Sequence, residues 1–190
     1  MRRARDNPFA TDRVLRERFR LDASGWALLF ARLRGLRHRG AIVGARGSGK
    51  TTLLEELAAR FATQGWRVVS VRLTVEFPAL GLAISRQRLA QLEPCDLLLI
   101  DGAEQLSAWQ WWLVRFRARH AGGIIITAHR PGRLPTLWRC QTSPALLRDL
   151  VNSLGVPLAA HDATDLFTRH QGNLRDAIRE LYDRHAEHAG

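Results

Sequence analysis

Apolar and polar positions change period several times along this chain, and each change marks an element. Asn7-Pro8-Phe9 is a turn-like entry, and a helix is predicted after Asp12 through Val14, Leu15 and Phe19. Trp26, Leu28, Leu29, Leu33 and Leu36 then fall at helical spacing behind a capping Asp22 or Ser24. Ala41-Ile42-Val43 is a short apolar run that reads as a strand over about 40–44. Leu53, Leu54, Leu57 and Phe61 return to helical spacing and predict a helix over about 49–63, stopped at Gln64-Gly65. Trp66–Leu73 alternates as a second strand. The stretch 75–94 reads as a loop with a short helix around 84–92, ended by Pro94. Asp96–Asp101 encloses four apolar residues, the pattern of a strand buried on both faces. A helix over about 103–119, a fourth strand over 122–127, a Pro/Gly-rich loop over 130–137 and a fifth strand over 138–142 follow. Beyond them only helical periods remain, opened at Ser143 or Pro144, at Asp162 or Thr164, and at Asn173.

Strands alternating with helices predict an α/β fold, a three-layer sandwich around a central parallel five-stranded sheet. The last helices predict a small C-terminal helical lid. The domain reading is a basic helical N-terminal arm (1–39), a nucleotide-binding core (40–143) and the lid (144–190). In the predicted helix over 103–119, Leu106, Trp109, Leu113 and Phe116 form a 3-4-3 stripe and are expected to face the core. Trp112 flanks that stripe, and Trp111 is expected on the opposite face, one turn from Arg115.

Composition narrows the class. A chain of 190 residues with 46% hydrophobic and 25% charged residues can bury a real core in one domain, with at most a small appendage. No apolar run approaches the ~18 residues of a membrane span. Met1–Phe9 is basic but has no apolar segment of a secretory signal behind it, so a cytoplasmic location is expected. Cys95 and Cys140 are isolated and expected to stay reduced, and the seven histidines show no metal-ligand spacing. The net charge is +11, and residues 1–39 hold eleven arginines against Asp6, Asp12, Glu17 and Asp22, a local excess of 11 − 4 = +7. That excess is either an electrostatic footprint for nucleic acid or the solvated faces of an arginine-rich composition.

The candidate chemistry begins at Gly44–Thr51, which matches G-x-x-x-x-G-K-[ST] between a predicted strand and a predicted helix. Glycines let such a loop turn its N–H groups onto phosphate oxygens, and the helix N-terminus adds partial positive charge. Gly44, Ala45, Arg46, Gly47, Ser48, Gly49, Lys50, Thr51 and Thr52 are therefore the expected ATP phosphate site. Lys50 would reach the β- and γ-phosphates, and the Thr51 hydroxyl would hold Mg²⁺. Of 29 basic residues, Lys50 is the single lysine, leaving 29 − 1 = 28 arginines. An ammonium and a guanidinium are not interchangeable at a phosphate cradle, so the one lysine stands where the chemistry asks for it. Leu97–Asp101 is an apolar strand ending in a carboxylate, the Walker B pattern, and Asp101 is the second expected Mg²⁺ residue. Gly102 follows, where a carboxylate that polarises an attacking water often stands. Glu104 is the nearest substitute, and its plainer reading is a first-turn glutamate offsetting the helix dipole.

Together these segments resemble the AAA+ P-loop ATPases over about residues 40–190. The resemblance rests on Gly44–Thr51, Leu97–Asp101, Ile124-Ile125-Ile126-Thr127 and Gly172-Asn173-Leu174-Arg175. It implies that Thr127 is the polar sensor at the end of the fourth strand and positions water. It implies that Arg175, on the last lid helix, senses the γ-phosphate. An arginine just before the fifth strand would be the finger offered to a neighbouring subunit; Arg139 fits best, with Arg133 and Arg130 as competitors. The implied activity is that of an ATP-dependent switch or helper on a protein or nucleic-acid partner, with an ATP-dependent homo-oligomer as the assembly. Gly102 departs from the family pattern, which implies slow hydrolysis or a need for a partner, and no appended effector domain is expected. Two other functions fit the same loop: a small-molecule kinase, and an ATP-gated DNA-binding module using the basic N-terminal arm.

Overall fold

A computed structural model describes residues 8, 9, 19, 21–74, 89 and 91–188. The predicted helix after Asp12, and most of that around 84–92, lie outside the described residues. The described chain divides into two compact units. Among the described residues, one lies within Phe19–Gly44 and Lys50–Arg139, and the other holds Ala45–Gly49 and Cys140–His188 together with Pro8 and Phe9.

The first unit opens with helix α1 (Ala23–Gly35), capped by the Asp22 carboxylate, which accepts from the Gly25 amide at 2.7 Å. That amide and the Ser24 hydroxyl hold the Asp22 carboxyl below its ordinary range. Trp26, Leu29 and Leu33, spaced three and four apart, are buried, whereas Leu28 is exposed. Leu28 was expected in this stripe, but it lies off the buried 3-4 line. Strand β1 (Arg39–Val43) leads into helix α2 (Lys50–Thr63), whose Leu53, Leu54, Leu57 and Phe61 are all buried. Strand β2 (Arg67–Arg72), strand β3 (Asp96–Asp101), helix α3 (Ala108–Arg117), strand β4 (Gly123–Ala128) and strand β5 (Thr136–Arg139) complete the unit.

All neighbouring strands pair in parallel, in the order β2-β3-β4-β1-β5. The predicted parallel five-stranded α/β sheet is therefore observed. Its central strands are buried almost throughout: β4 is buried along its whole length, and β3 is buried up to its final Asp101. That accounts for their unbroken apolar runs. Register aligns Asp101 with Arg72, Ile100 with Ile126, and Ile42 with Thr127. The carboxyl ends of β1, β2, β3 and β4 thus share one edge of the sheet, the edge where open parallel sheets bind ligands.

Two predicted elements differ. The fifth strand spans 136–139 and ends three residues earlier than expected, so Arg139 closes the strand instead of preceding it. The helix over 103–119 is broken into a 3₁₀ turn at Ala103–Gln105, α3, and a second 3₁₀ turn at Ala118–His120. A capping box causes the break: Ser107 Oγ accepts from the Gln110 amide at 3.2 Å, and Gln110 Oε1 accepts from the Ser107 amide at 2.8 Å. Restarting at Ser107 resets the phase. Trp111, Val114 and Ala118 face the core with Leu106, while Trp109, Trp112 and Phe116 are 66%, 52% and 52% exposed. The expected core stripe is thus corrected: the small Val114 and Ala118 sit among the sheet residues Leu98, Ile124 and Ile126, with Trp111 beside them.

In the second unit, helices α4 (Pro144–Ser153), α5 (Ala160–Arg169) and α6 (Leu174–His188) enclose their own apolar core. Phe9, Leu147, Val151, Leu166, Leu174, Ala177 and Ile178 are its buried members. Ser143 caps α4, with Pro144 at the favoured first position. Asn173 caps α6, its Oδ1 accepting from the amides of Arg175 and Asp176 at 3.2 and 3.3 Å.

Candidate functional site

The loop Gly44–Gly49 links β1 to α2 through two left-handed glycines, Gly47 (φ +72°) and Gly49 (φ +83°). Any other residue at Gly47 meets a second obstacle. A Cβ there would lie 1.8 Å from Asn173 Oδ1 and 3.3 Å from the Arg175 amide nitrogen. The cap of α6 therefore lies against the glycine loop, with only a hydrogen's width to spare. Ser48 is buried, and its hydroxyl has no hydrogen-bond partner among the described residues. An orphaned buried donor in a glycine turn at a helix N-terminus fits a phosphate, which accepts from hydroxyl and amide groups together.

Next along the chain, Lys50 is 8% exposed, and its Nζ donates to the Gly44 carbonyl at 2.9 Å. The bond folds the ammonium back onto the residue that follows β1. Thr51 Oγ1 lies 3.2 and 3.0 Å from the two Asp101 oxygens. Thr127 Oγ1 donates to Asp101 Oδ1 at 2.7 Å and accepts from the Gly102 amide at 2.8 Å. The ends of β3 and β4 and the first turn of α2 thus bring Lys50, Thr51, Asp101 and Thr127 onto one sheet edge. A hydroxyl and a carboxylate in contact supply the oxygen donors that Mg²⁺ takes in nucleotide sites, and their chemistry fits that ion. Thr52, one residue further into α2, is half-buried.

Two further residues belong to this edge and escaped sequence reading. Arg72 ends β2 and bridges two carboxylates, with Nη2 2.7 Å from Glu55 and Nε 3.4 Å from Asp101. Its signal was positional, the last residue of a strand whose parallel neighbour ends in Asp101. His129 follows β4 and pairs with Glu104, Nε2 to Oε1 at 3.2 Å. The other Glu104 oxygen is buried without a hydrogen-bond partner among the described residues. The spacing Thr127-Ala128-His129 was the available signal there.

Gly102 is left-handed (φ +82°), and a Cβ on it would stand 2.7 Å from the Leu73 carbonyl oxygen. The backbone at this position thus excludes the side chain that would bring a carboxylate beside Asp101.

The candidate arginines are dispersed. Arg139 is exposed at the end of edge strand β5, and Arg130 is exposed after β4. Arg133 is engaged within its own unit, donating to the Leu106 carbonyl with its guanidinium over the Trp111 ring. Burial there lowers its pKa, against the pull of Glu104. Arg175 is exposed in the first turn of α6. Among the described residues no helix is long and apolar enough to cross a membrane.

No protein-family model matches this sequence, and no curated protein matches it either. Solved structures do match its fold. The AMPPCP-bound DnaA from Aquifex aeolicus is similar at a TM-score of 0.57 and 15% identity, over 85% of this chain and 61% of that one. A replication initiator DnaA bound to AMPPCP and single-stranded DNA gives the same TM-score and identity, over 85% and 60%. The Thermotoga maritima RuvB Holliday junction branch migration motor gives 0.54 and 21%, over 84% and 58%. The chain therefore spans about three fifths of these proteins' lengths, and its fold is that of the AAA+ P-loop ATPases.

Proposed function

We propose that this chain binds Mg-ATP on Gly44–Thr52 and acts as a nucleotide-dependent switch on a protein or nucleic-acid partner, with slow turnover. The observation that carries this reading is the contact of the Thr51 hydroxyl with both oxygens of Asp101, next to Lys50, whose ammonium donates to the Gly44 carbonyl. Loop amides and the Ser48 hydroxyl would receive phosphate oxygens, and Lys50 would leave the Gly44 carbonyl for the β- and γ-phosphates. Thr51 and Asp101 would hold Mg²⁺, which neutralises charge on those phosphates when bound. AMPPCP in the two DnaA structures of the same fold supports the choice of nucleotide.

Slow turnover follows from the residues around Asp101. Position 102 carries no carboxylate. The Thr127 hydroxyl gives its one proton to Asp101, so orienting a water requires that bond to break. Glu104 is the carboxylate left to polarise water, positioned by His129. A slow hydrolase holds its triphosphate state long enough for a partner to read it. Arg175 would report the γ-phosphate, and Arg139, on an exposed strand end, would serve an ATP-dependent assembly of copies. Isolated cysteines that form no disulfide suit a cytoplasmic setting.

The test is calorimetric titration of Mg-ATP into the purified protein and into Lys50→Ala. Micromolar binding by the natural sequence, and loss of at least tenfold in the variant, is expected. Equal affinity in both would sink the reading.

A further inference from the structure

Trp109, Trp112 and Phe116 stand on the outer face of α3 at spacings of three and four. Their rings form one column. Trp109 and Trp112 stack at 4.8 Å and 17°, Trp112 and Phe116 stack at 5.6 Å and 10°, and the Arg119 guanidinium lies 4.5 Å over the Phe116 ring. Three large aromatic side chains at least half exposed leave roughly 300 Å² of apolar surface in contact with water, the scale at which a patch marks a docking site.

We propose that this column docks an acidic amphipathic helix of a partner protein. Three observations choose that occupant. First, every ring face but the outer one of Trp109 is covered. Each inner face is covered by the next ring, and the last is closed by Arg119, so what the column offers along its length is ring edges. Stacked nucleobases need open faces, whereas ring edges receive aliphatic side chains and, being the positive rim of the quadrupole, favour carboxylates. Second, the column spans eight residues of helix, seven rises or about 10 Å, matching the i, i+4, i+7 anchors of a helix laid alongside. Third, the charge is one-sided. Arg115 and Arg119 flank the rings and are exposed. No Asp or Glu occurs from Gln105 to Arg148, and seven arginines do. A partner helix with leucines on one face and glutamates beside them meets both features.

The surface lies on α3, and its test contains no nucleotide, so failure here leaves the Mg-ATP reading untouched. Fluorescence anisotropy is measured with three labelled probes: an 18-residue helical peptide with leucine on one face and glutamate elsewhere, the same peptide with lysine for glutamate, and a 20-nucleotide oligothymidylate. The natural protein is compared with Trp109→Ala/Trp112→Ala, and separately with Phe116→Ala. These side chains are exposed, and retention of fold is checked by circular dichroism. The glutamate peptide is expected to bind at tens of micromolar or tighter, at least tenfold more weakly to the double variant, while the lysine peptide does not bind. No binding of the glutamate peptide, or binding indifferent to the substitutions, overturns the proposal. So does oligothymidylate binding that the double variant abolishes, which would make the column a nucleic-acid site.

Discussion

Asp101 shows what a residue's identity says and what it leaves unsaid. Its place at the end of an apolar strand made it legible as a site carboxylate, and the Thr51 hydroxyl does lie against it. Its other neighbours were not legible, because they arrive by strand register. Arg72 reaches Asp101 from the end of β2, twenty-nine positions away in sequence (101 − 72), only because β2 and β3 pair in parallel with Arg72 opposite Asp101. This guanidinium lies against Asp101 Oδ2 while the Thr127 hydroxyl donates to Oδ1, and in the proposed site it would compete with the cation. Because Arg72 is well exposed, water screens the pair, and its effect is modest. Arg72→Met is therefore expected to lower the Mg²⁺ concentration for half-maximal binding of fluorescent ADP about two- to fivefold. An unchanged Mg²⁺ dependence would mean that Arg72 serves Glu55 alone. Gly102 belongs to the same lesson. As a letter it reads as a lost carboxylate; with its left-handed φ and the Leu73 carbonyl against it, it is a backbone requirement.

At the scale of elements, period and caps located most of the strands and helices, and the misplacements have physical causes. The run from 103 to 119 reads as one helix because nothing in its apolar spacing forbids it. The signal that breaks it, Ser107-Ala108-Trp109-Gln110, is a capping box inside that run, and reading through it inverts the faces of the aromatic residues. The edge pair β2–β3 is fixed by a contact that no period announces. Arg67 Nε and Nη2 lie 2.5 and 2.6 Å from the two oxygens of the fully buried Asp96, which also accepts from the Glu93 amide at 2.7 Å. The Arg67 hydrogen bonds come first among the causes that hold the Asp96 carboxyl below its ordinary range, against the opposing effect of burial. A depressed carboxyl contributes stability above its unfolded pKa of about 3.9 and loses it as pH falls through the lower folded value. The melting temperature of Asp96→Asn is thus expected to lie furthest below that of the natural protein near pH 7, with the gap narrowing below about pH 4. A gap constant from pH 7 to pH 3 would assign the cost to packing alone. In the second unit, burial would raise Glu180, but His170, Arg184 and Arg169 together outweigh it and lower its pKa. Acid weakens that cluster in the same direction.

For the whole molecule, the parallel sheet and its strand order bring Lys50, Thr51, Asp101 and Thr127 to the carboxyl edge, and the strands and helix that carry them were legible in the sequence. The apolar core shared by Phe9 with α4, α5 and α6 was not, since an N-terminal residue and C-terminal helices meet only in the folded chain. The column on α3 is likewise a property of the fold. The proposed site would take Mg-ATP and keep it. The protein is loaded with Mg²⁺ and radiolabelled ATP, stripped of free nucleotide by rapid filtration, and the retained nucleotide is identified by chromatography over an hour, beside Lys50→Ala. Stoichiometric label is expected on the natural protein, still mostly ATP after several minutes, and none on the variant. Label absent from both proteins, or found only as ADP at the first time point, would contradict the proposal.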